Sequence, residues 1–465
     1  MQATHDLAVV GSGFAGSLIA TIARRLGHSV ILIERGKHPR FAIGESSTPL
    51  ANLLLEELAR RYDLPQLLPL TKWGTWQLAH PDIACGLKRG FTFFHHDFDR
   101  TFQNDRQHQR QLLVAASPHD GIADTHWYRP DFDHFLAREA AHLGVELREE
   151  CRLERAISIG NQFQLEGTCD GKPLHIRARF VIDASGPRGF LHRALGLTEL
   201  PLLGLPRTQA LFSHFTGVGR WEDLHPTGKT APPYPVDDAA MHHVFEGGWI
   251  WVLRFNNGLT SAGVAATDRL ANNLNLAEGQ SAWERLLARL PSVREQFAEA
   301  QPQLSFAHLP QLSFRSAEVA GPNWALLPSA AGFVDPLLST GFPLTLLGVT
   351  RLAEAIEQEW ETPRFAARLD DYVKRTAREL LAAELLVAAL YASMNDFAIF
   401  APLTLLYFAA ASFSETARRL QRPQLASSFL LHDHPTFGHE LQSCCRYVLT
   451  GPAGAAWSDS ERAGL

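Results

Sequence analysis

The chain opens with two apolar stretches that have the length and composition of buried strands. Residues 7–10 precede a glycine-rich turn and a helix-like run to Leu26, and residues 30–33 follow and close on Glu34. A strand, a tight turn, a helix and a second strand that ends on a carboxylate are typical of a dinucleotide-binding βαβ unit. The pattern therefore predicts that the chain binds a nucleotide cofactor.

The turn between these stretches has glycine at positions 11, 13 and 16. In such units the first glycine permits a tight turn, the second lets the backbone approach a pyrophosphate, and the third allows close helix–strand packing. The helix that follows offers free N–H groups and the positive end of its dipole to the anion. We expect the cofactor to contact Gly11, Gly13, Phe14, Ala15, Gly16, Glu34 and Arg35.

Beyond residue 40 the pattern alternates between helical and strand periods. Ser47 or Thr48 is suited to cap a helix over 50–62, with Pro49 in its first turn. A second helix is predicted over 129–144. The other predicted segments are a polar, His- and Asp-rich excursion over 95–119, a β-meander over 145–180, strands at 241–245, 249–255 and 261–266, and helices from 342 to about 430.

These segments predict an α/β fold with three parts. A Rossmann-type cofactor-binding domain is interrupted by an inserted β-sheet domain for the substrate, and a helical C-terminal lobe follows. The expected boundaries are 1–199 for the first part of the cofactor domain, 200–310 for the sheet domain, 311–370 for the return to the cofactor domain, and 371–465 for the lobe.

Composition restricts the partners and the location that we expect. The 465 residues are 46% hydrophobic and 20% charged, which is ordinary for a globular protein, and the net charge of −6 comes without a long basic block. Nucleic acid is therefore a poor candidate partner. The five cysteines show no CxxC or zinc spacing, and they fit a reducing cytosol without a metal. The N-terminus lacks the basic stretch of a signal peptide, so a cytoplasmic location is expected.

One segment, 397–414, is uncharged and strongly apolar, close to the length of a membrane span. It contains Pro402, and Glu384 and Asp396 precede it in the same apolar region. We expect a buried helix pair in the C-terminal lobe and no integral membrane span. Peripheral contact with a membrane is the alternative.

Six short blocks are spread over nearly the whole chain. They are the glycine turn with Glu34, Gly44-Glu-Ser-Ser-Thr-Pro49, Arg129-Pro-Asp-Phe-Asp133, Asp183-Ala-Ser-Gly186, Gly248-Trp-Ile-Trp251 and Gly332-Phe-Val-Asp-Pro-Leu-Leu-Ser-Thr-Gly341. Together they resemble the flavin-dependent halogenases, a family within the class of FAD-dependent aromatic monooxygenases. The branch that acts on phenol- and pyrrole-type substrates is the most similar.

The resemblance implies FAD as the cofactor of the Rossmann-type domain, used in its reduced form with chloride or bromide as a cosubstrate. It also implies further cofactor contacts beyond the first unit. The residues expected at FAD on this basis are Gly44, Glu45, Ser46, Ser47, Arg129, Asp183, Ser329, Gly332, Asp335 and Pro336.

The turn Ser339-Thr340-Gly341 follows an Asp-Pro turn and precedes a helical run. Its backbone N–H groups could bind a small anion beside the flavin ring. Halide is expected there in the family, so Thr340 and Gly341 are the halide candidates. In the alternative interpretation, Gly341 only lets a helix approach the cofactor.

Lys88 lies in a strand-like alternation over 84–93. In the halogenases a lysine in a similar strand faces the passage between flavin and substrate and activates hypohalous acid, so the resemblance makes Lys88 the catalytic candidate. A desolvated lysine titrates readily and can act as a donor or a nucleophile. From the residues alone, a surface lysine beside Arg89 is the alternative, and Lys72 is a weaker candidate for the role.

Trp249 and Trp251 are two residues apart on a predicted strand, so both rings face one side. They could form the apolar wall of a tunnel that keeps the substrate from the flavin and confines a small oxidant. Two core tryptophans between sheets are the alternative interpretation.

Three positions depart from the family pattern. Leu253-Arg254 stands where the block W-x-W-x-I-P ends in Ile-Pro, which places a cation where a rigid apolar residue is usual. Leu338 stands where tryptophan-type enzymes have a glutamate, which argues against a tryptophan substrate and leaves the proton acceptor unassigned. Ser329 replaces the aspartate that meets the ribityl or ribose hydroxyls.

The resemblance also implies a mechanism. Reduced FAD and oxygen would form a flavin hydroperoxide, halide would attack it to give hypohalous acid, and Lys88 would present this oxidant to a phenol- or pyrrole-like ring, free or tethered to a carrier protein. Only one GxGxxG unit is present, so a separate flavin reductase is expected. The candidate general bases, with structural roles as the alternative, are His95, His96, His242 and His243.

Two other functions fit the same residues. A halide-independent flavin hydroxylase or a dehydrogenase/oxidase is favoured by Arg254, because a cation near the flavin could stabilise a reduced anion or a substrate carboxylate. The other is a flavin-binding protein without turnover, against which Lys88, the tryptophan pair and the Ser-Thr-Gly turn all argue.

Overall fold

The computed structural model describes residues 4–103, 107–226 and 231–451, so the ends of the expected first and last parts, 1–3 and 452–465, lie outside it. The described strands are β1 (Thr4–Val10), β2 (Val30–Ile33), β3 (Cys85–Lys88), β4 (Gly90–His95), β5 (Gln111–Ala115), β6 (Asp124–Trp127), β7 (Glu146–Arg148), β8 (Cys151–Ile159), β9 (Gln162–Cys169), β10 (Lys172–Asp183), β11 (Thr208–Thr216), β12 (Ala240–Phe245), β13 (Gly248–Arg254), β14 (Thr260–Thr267), β15 (Gln301–Pro302), β16 (Ala307–Leu309), β17 (Phe314–Arg315), β18 (Ala320–Gly321), β19 (Trp324–Leu326) and β20 (Gly332–Phe333). The described helices are α1 (Phe14–Arg25), α2 (Pro49–Arg61), α3 (Trp73–Ala79), α4 (Arg129–His142), α5 (Phe190–Ala194), α6 (Trp221–Leu224), α7 (Asp268–Leu274), α8 (Gln280–Ala288), α9 (Pro291–Gln296), α10 (Pro328–Ala331), α11 (Gly341–Glu359), α12 (Arg364–Ala392), α13 (Phe397–Arg419) and α14 (Phe437–Thr450).

The first sheet is built around the N-terminal βαβ unit. Its strand order is β18-β19-β10-β1-β2-β7, with β9 and β8 continuing from β10. β1 pairs in parallel with both β2 and β10, so the glycine turn leaves the sheet at the carboxyl end of a central strand. Residues 14–23 of α1 are all buried. A parallel crossover with a buried helix is what the predicted Rossmann-type unit requires, and the prediction is confirmed.

The second sheet contains the strands predicted between 241 and 266, now β12, β13 and β14. Its order is β15-β11-β14-β13-β12-β4-β5, with β16 paired to β11. The two faces of β13 enter different cores. Trp249 and Trp251 belong to the main core that reaches the first sheet, whereas Ile250 and Val252 pack in a second core with residues of α7, α8 and α9.

The polar tract over 95–119 is not the long excursion that its composition predicted. β5 lies inside it and pairs with β4, and β4 pairs in parallel with β12. Leu112 and Val114 pack against the main core, which gives this polar stretch one apolar side. The second sheet therefore draws strands from both sides of residue 200, and the division into domains stays a prediction.

A short antiparallel ribbon, β3 and β6, positions the candidate site. Lys88 lies opposite Asp124, and Gly86 lies opposite His126. Ser46 bridges to His126 on the other edge of β6. Side chains alternate across a strand, so Asp124 and His126 share one face of the ribbon. Trp127 is on the opposite face and packs against Phe14 at the start of α1, with ring centroids 5.3 Å apart.

The predicted C-terminal helix pair is α12 and α13, which are separated by four residues. Asp396 caps α13 by accepting a hydrogen bond from the Ala398 N–H at 3.1 Å. Among the described helices, α13 alone is long and apolar enough to cross a membrane by length and composition, and 44% of its most apolar window is buried.

Cys151 and Cys169 lie opposite each other on β8 and β9 and form a disulfide. This pairing departs from the expectation that the cysteines fit a reducing cytosol. Their spacing in the sequence carries no sign of it, because the contact depends on the register of two neighbouring strands.

Candidate active site

The glycine turn has the geometry that only glycine allows at two of its positions. Gly11 has a φ of +98°, and a Cβ built on it would lie 2.7 Å from the carbonyl oxygen of Ala184. A Cβ built on Gly16 would lie 1.9 Å from the carbonyl oxygen of Gly11. The first glycine therefore makes the turn, and the third brings α1 against it.

The N–H groups of this turn bind anionic oxygens. The Ser12 N–H donates to Glu34 Oε2 at 3.1 Å, and the Phe14 N–H donates to Asp133 Oδ1 at 3.2 Å. Gly13 is the N-cap of α1, and no side chain caps the helix. Two carboxylate oxygens thus accept from N–H groups at the N-terminus of a helix, where negative charge is attracted, so the turn fits the pyrophosphate of a dinucleotide.

Glu34 is buried at the end of β2, with donors on both carboxylate oxygens. Arg40 Nη2 donates at 2.8 Å and the Gly36 N–H at 2.9 Å. Burial acts to raise the pKa of Glu34, but Arg40 and the Gly36 and Ser12 N–H groups outweigh burial and hold it below its ordinary value. Arg40 was missed by the sequence argument. Arg35, which was predicted to contact the cofactor, is exposed.

Arg129 connects the glycine turn to the loop that follows β2. Its Nε and Nη2 bind the two oxygens of Asp133 at 2.8 Å each. Its Nη1 donates to the carbonyl oxygens of Ile43 at 3.1 Å and Gly44 at 2.8 Å. A bidentate pair of this kind fixes orientation as well as charge. The Arg129–Asp133 pair therefore positions the loop, and Asp133 also accepts the hydrogen bond from the Phe14 N–H.

The next residues of this loop hold Lys88. The side chain is fully buried, and its Nζ donates to Ser46 Oγ at 2.8 Å and to the carbonyl oxygen of Ser47. Nζ also lies 3.7 Å from the ring centroid of Phe91. The loop therefore connects Arg129, beside the glycine turn, to the candidate catalytic residue Lys88. The alternative of a surface lysine is wrong for Lys88.

Glu45, a predicted cofactor contact, pairs with a histidine of the second sheet. Its Oε1 lies 2.9 Å from His214 Nε2, and both side chains are buried. The His214 ring is surrounded by Phe41, Tyr128 and Phe255, with centroid distances between 4.6 and 6.1 Å. The carboxylate thus pairs with the second sheet. His214 was not predicted, because its contact with the loop is set by tertiary packing.

Burial dominates the electrostatics at Lys88. Removal from water lowers the pKa of the Lys88 ammonium, and the nearby Asp124 carboxylate acts against this shift. Burial likewise raises the pKa of Asp124, against the opposing effect of Lys88. Two groups whose pKa values move toward each other in a buried site are well suited to exchange a proton.

The tryptophan pair connects the Asp-Pro turn to this lysine. The rings of Trp249 and Trp251 face one side, with centroids 5.7 Å apart, as predicted. Trp249 Nε1 donates to Asp335 Oδ1 at 3.2 Å. The His242 ring lies 5.2 Å from the Trp249 ring at an interplanar angle of 32°, and the charge of Lys88 acts to lower the pKa of His242.

Asp335 is fully buried at this turn. Tyr391 Oη donates to its Oδ2 at 2.9 Å, and the Leu337 N–H donates to Oδ1 at 2.9 Å. Burial raises the pKa of Asp335 to about 6, although these donors and Trp249 act to lower it. A carboxyl held this way fixes the start of the turn that leads to Thr340.

The candidate halide turn has an unusual backbone. Leu338 and Ser339 have φ values of +65° and +56°, a region that non-glycine residues rarely enter. Such residues turn successive N–H groups in one direction, which is how anion-binding nests form. Thr340 is buried, and no described atom lies within 4 Å of a Cβ built on Gly341 at the start of α11.

The other predicted cofactor residues differ in their contacts and in their burial. Both oxygens of Asp183 are bonded within the turn that it begins, to Ser185 and to the Leu191 N–H. A Cβ on Gly332 would lie 2.8 Å from Leu380, so this glycine makes room for α12. Ser329 is half-buried in α10. Contact of these residues, and of Pro336, with the cofactor stays a prediction.

Arg254 faces away from the tryptophan pair. Its guanidinium donates to the carbonyl oxygens of Val218 at 3.0 Å and of Gly219, and it pairs with Asp237 at 3.2 Å. It lies on the face of β13 opposite to Trp249 and holds the segment before α6 in place. The link between Arg254 and halide-independent chemistry stays a prediction.

The remaining candidates lie apart from Lys88. Lys72 is partly exposed and pairs with Glu56 at 3.7 Å, so it has a surface role. His95 contacts the carbonyl oxygen of Met394 at 3.0 Å, and His96 contacts His243 at 2.9 Å. Among the four histidines singled out, only His242 touches the tryptophan pair.

Comparisons with known proteins identify the family to which the chain belongs. The model of the FAD dependent oxidoreductase family matches residues 6–315. The tetracycline 7-halogenase of Kitasatospora aureofaciens is 29% identical over 386 residues, which cover 81% of this chain and 68% of the relative. The monodechloroaminopyrrolnitrin halogenase PrnC of Pseudomonas fluorescens is 28% identical over 399 residues, which cover 84% of this chain and 68% of the relative.

Among solved structures, the halogenase PltM in complex with phloroglucinol and FAD matches with a TM-score of 0.87 at 24% identity. The match covers 99% of this chain and 94% of that structure. At this level of identity the likeness shows the fold.

Proposed function

Because the chain belongs to the family of FAD-dependent oxidoreductases, we propose that it uses reduced FAD and oxygen to halogenate an electron-rich aromatic substrate. The observation that carries the proposal is Lys88, a fully buried lysine bound by the same loop that Arg129 anchors beside the glycine turn. The names of the related halogenases support the same chemistry.

The residues of the first sheet fit FAD. The Ser12 and Phe14 N–H groups would receive the pyrophosphate, and Glu34 would receive a ribose hydroxyl. When bound, FAD supplies the reduction of oxygen that oxidises the halide. The protein's part is to bind, to orient and to keep the oxidant from water.

Thr340 and Gly341 are the proposed halide site. The left-handed Leu338 and Ser339 precede them, and the open space beside Gly341 leaves room for an ion. Asp335 anchors the start of this turn, and its hydrogen bond from Trp249 connects the turn to the tryptophan pair.

The oxidised halide, hypohalous acid, would then travel along the tryptophan wall to Lys88. Trp249 contacts Asp335 at one end and His242 at the other, and Lys88 lies within electrostatic reach of His242. The apolar rings would confine the oxidant, and the lysine would bind it and present it to the ring of the substrate.

The proposed substrates are phenol- or pyrrole-like rings, free or attached to a carrier protein. Such rings are electron-rich enough to attack hypohalous acid once it is held in place. A separate flavin reductase is the proposed source of reduced flavin, because the sequence contains one GxGxxG unit.

A reconstituted assay tests the proposal. The protein is mixed with FAD, a flavin reductase with its nicotinamide, chloride or bromide, and a panel of phenols and pyrroles including carrier-bound ones. Halogenated products, detected by their isotope pattern in mass spectrometry, are expected. Hydroxylated or desaturated products would support a halide-independent flavin enzyme instead, and the absence of any flavin turnover would support a binding protein.

A further inference from the structure

Lys88 has a buried carboxylate directly across the ribbon. Asp124 is its register partner on β6, and both residues are almost completely buried. Side chains of directly opposed residues stand on the same face of an antiparallel pair and lie close enough to interact. Asp124 is also the one charged group whose effect on Lys88 is resolved among the described residues.

The carboxylate of Asp124 is only half satisfied. Asn52 Nδ2 donates to Oδ1 at 2.8 Å, which fixes the orientation of the group from α2. Oδ2 has no hydrogen-bond partner among the described residues, and neither does the amide oxygen of Asn52. An unsatisfied buried oxygen is costly for stability. The hydrogen bonds of Lys88 Nζ go to Ser46 and Ser47, so Asp124 acts on the ammonium through its charge.

Other titratable and charged groups face this pair from each element around it. His126 on β6 and His242 on β12 both feel the charge of Lys88. Burial and this charge hold the pKa of both histidines below the ordinary value, so they stay neutral. Glu415 and Arg419 on α13 act on Asp124 with opposite signs. The net negative charge next to Lys88 therefore comes from Asp124.

We propose that Asp124 is the positioning residue whose negative charge keeps Lys88 able to hold a proton, so that Lys88 serves as the proton acceptor that the sequence left unassigned. This inference rests on the proposed halogenation and deepens it. Leu338 occupies the position where the resemblance places a glutamate in tryptophan-type enzymes, and Leu338 has no titratable group. Asp124 supplies a buried carboxylate instead, through its effect on Lys88.

The proton steps balance. As the ring carbon forms its bond to the halogen, the O–X bond of hypohalous acid breaks, and the Lys88 ammonium donates a proton to the departing oxygen, which leaves as water. The neutral amine then takes the proton that the ring carbon loses when aromaticity returns. Asp124 stabilises the ammonium before and after these steps. The sum is ring C–H plus HOX giving ring C–X plus water.

Asp124→Asn tests the inference, because the amide keeps the shape and loses the charge. Without the carboxylate, the pKa of Lys88 falls further, so the ammonium exists only at lower pH. The halogenation rate near pH 8 is expected to fall by about tenfold to a hundredfold, and the basic limb of the pH–rate profile is expected to move to lower pH. Formation of oxidised halide, captured by a diffusible acceptor, is expected to remain as in the unmodified protein.

Two further variants and one control variant complete the test. Asp124→Glu restores the charge and is expected to recover the pH profile in part. Asn52→Ala removes the hydrogen bond to Asp124 Oδ1 and is expected to shift the profile in the same direction as Asp124→Asn, by less. Asp120→Asn changes an exposed carboxylate that pairs with Arg89, and it is the matched control with no expected shift.

A titration without flavin separates this inference from the proposed function. Nitrogen NMR of the lysine side chains, with Lys88 assigned through its absence in Lys88→Met, gives the pKa of Lys88 in the FAD-free protein. A lower pKa of Lys88 in Asp124→Asn supports the electrostatic role of Asp124 even if no halogenation is found. Equal pKa values, or a variant that halogenates at the original rate and pH profile, would overturn the inference. Absence of halogenated product from the unmodified protein would count against the proposed function alone.

Discussion

The glycine-turn site and the Lys88 site both bury carboxylates, and they treat them in opposite ways. Glu34 receives donors on both oxygens, from Ser12, Gly36 and Arg40. Asp124 receives one donor on Oδ1 and none on Oδ2 within the described chain. The pKa of Glu34 is held low despite burial, whereas burial raises that of Asp124.

This difference distinguishes the glycine-turn site, which holds a fixed geometry, from the Lys88 site, which can exchange protons. A carboxylate that has donors on both oxygens and an arginine partner stays charged and fixes the geometry of a binding site. A carboxylate left partly unsatisfied beside a buried amine can change its protonation state within the pH range where enzymes work. Cofactor binding is therefore assigned to the glycine-turn site and proton chemistry to the Lys88 site.

The largest effect is expected at the glycine-turn site, from Gly16→Ala. The added Cβ would lie 1.9 Å from the Gly11 carbonyl oxygen, so α1 must move away from the turn. Loss of FAD binding and a destabilisation of about 3 kcal/mol or more are expected. FAD titration and denaturant unfolding measure both. Gly341→Ala has nothing within 4 Å of its Cβ and is the control for stability; a normal unfolding curve for Gly16→Ala would contradict the assigned turn geometry.

Glu34→Gln removes the carboxylate charge from the glycine-turn site. It takes away the acceptor for a ribose hydroxyl and the partner of Arg40. The dissociation constant of FAD is expected to rise by about 10- to 100-fold, as for loss of one charge-assisted hydrogen bond. Fluorescence titration of FAD measures it. Glu146→Gln, at a half-buried carboxylate that pairs with Arg148, serves for comparison. Equal FAD affinity for both variants would remove Glu34 from the site.

Asp335→Asn tests how a third buried carboxylate affects the pH dependence of stability. Burial raises the pKa of Asp335 to about 6, above its value in the unfolded chain. The folded protein therefore gains a proton relative to the unfolded one between about pH 4 and 6, and its stability falls as pH rises through that window. The variant is expected to be more stable by about 1–3 kcal/mol at pH 7.5, with the difference vanishing below about pH 4. Unfolding at several pH values measures this; a constant difference, or one shared by the exposed Asp371→Asn, would contradict it.

How much the sequence predicted also follows this division. The glycine turn, the helix with Thr48 as its cap and the strands of the second sheet are local patterns, and the structure confirms them; Thr48 accepts the Ala51 N–H at 3.1 Å. Asp124, Asn52 and His214 carried no local signal. Their roles depend on the register of four-residue strands and on contacts between distant segments, which periodicity does not encode.

The smallest effect is expected from Trp251→Phe, on the wall between the two sites. Trp251 packs over Gly263, where a Cβ would lie 2.4 Å from its ring, so the smaller phenyl ring leaves a gap. Escape of oxidised halide to an external acceptor is expected to rise by about two- to fivefold, with flavin oxidation unchanged. Trp360→Phe, which lies against His28 and Phe180, is the control. Equal escape of oxidised halide from both variants would mean that Trp249 and Trp251 serve only as core residues.

The most direct test of the account compares Lys88→Met with Lys72→Met. Lys88 is fully buried and bound to Ser46, whereas Lys72 is partly exposed and pairs with Glu56. Two quantities are measured in the same reaction, oxidised halide captured by a diffusible acceptor and halogenated aromatic product. The account predicts that Lys88→Met still oxidises halide but loses aromatic halogenation by about a thousandfold, while Lys72→Met keeps both. Full aromatic halogenation by Lys88→Met would contradict the account.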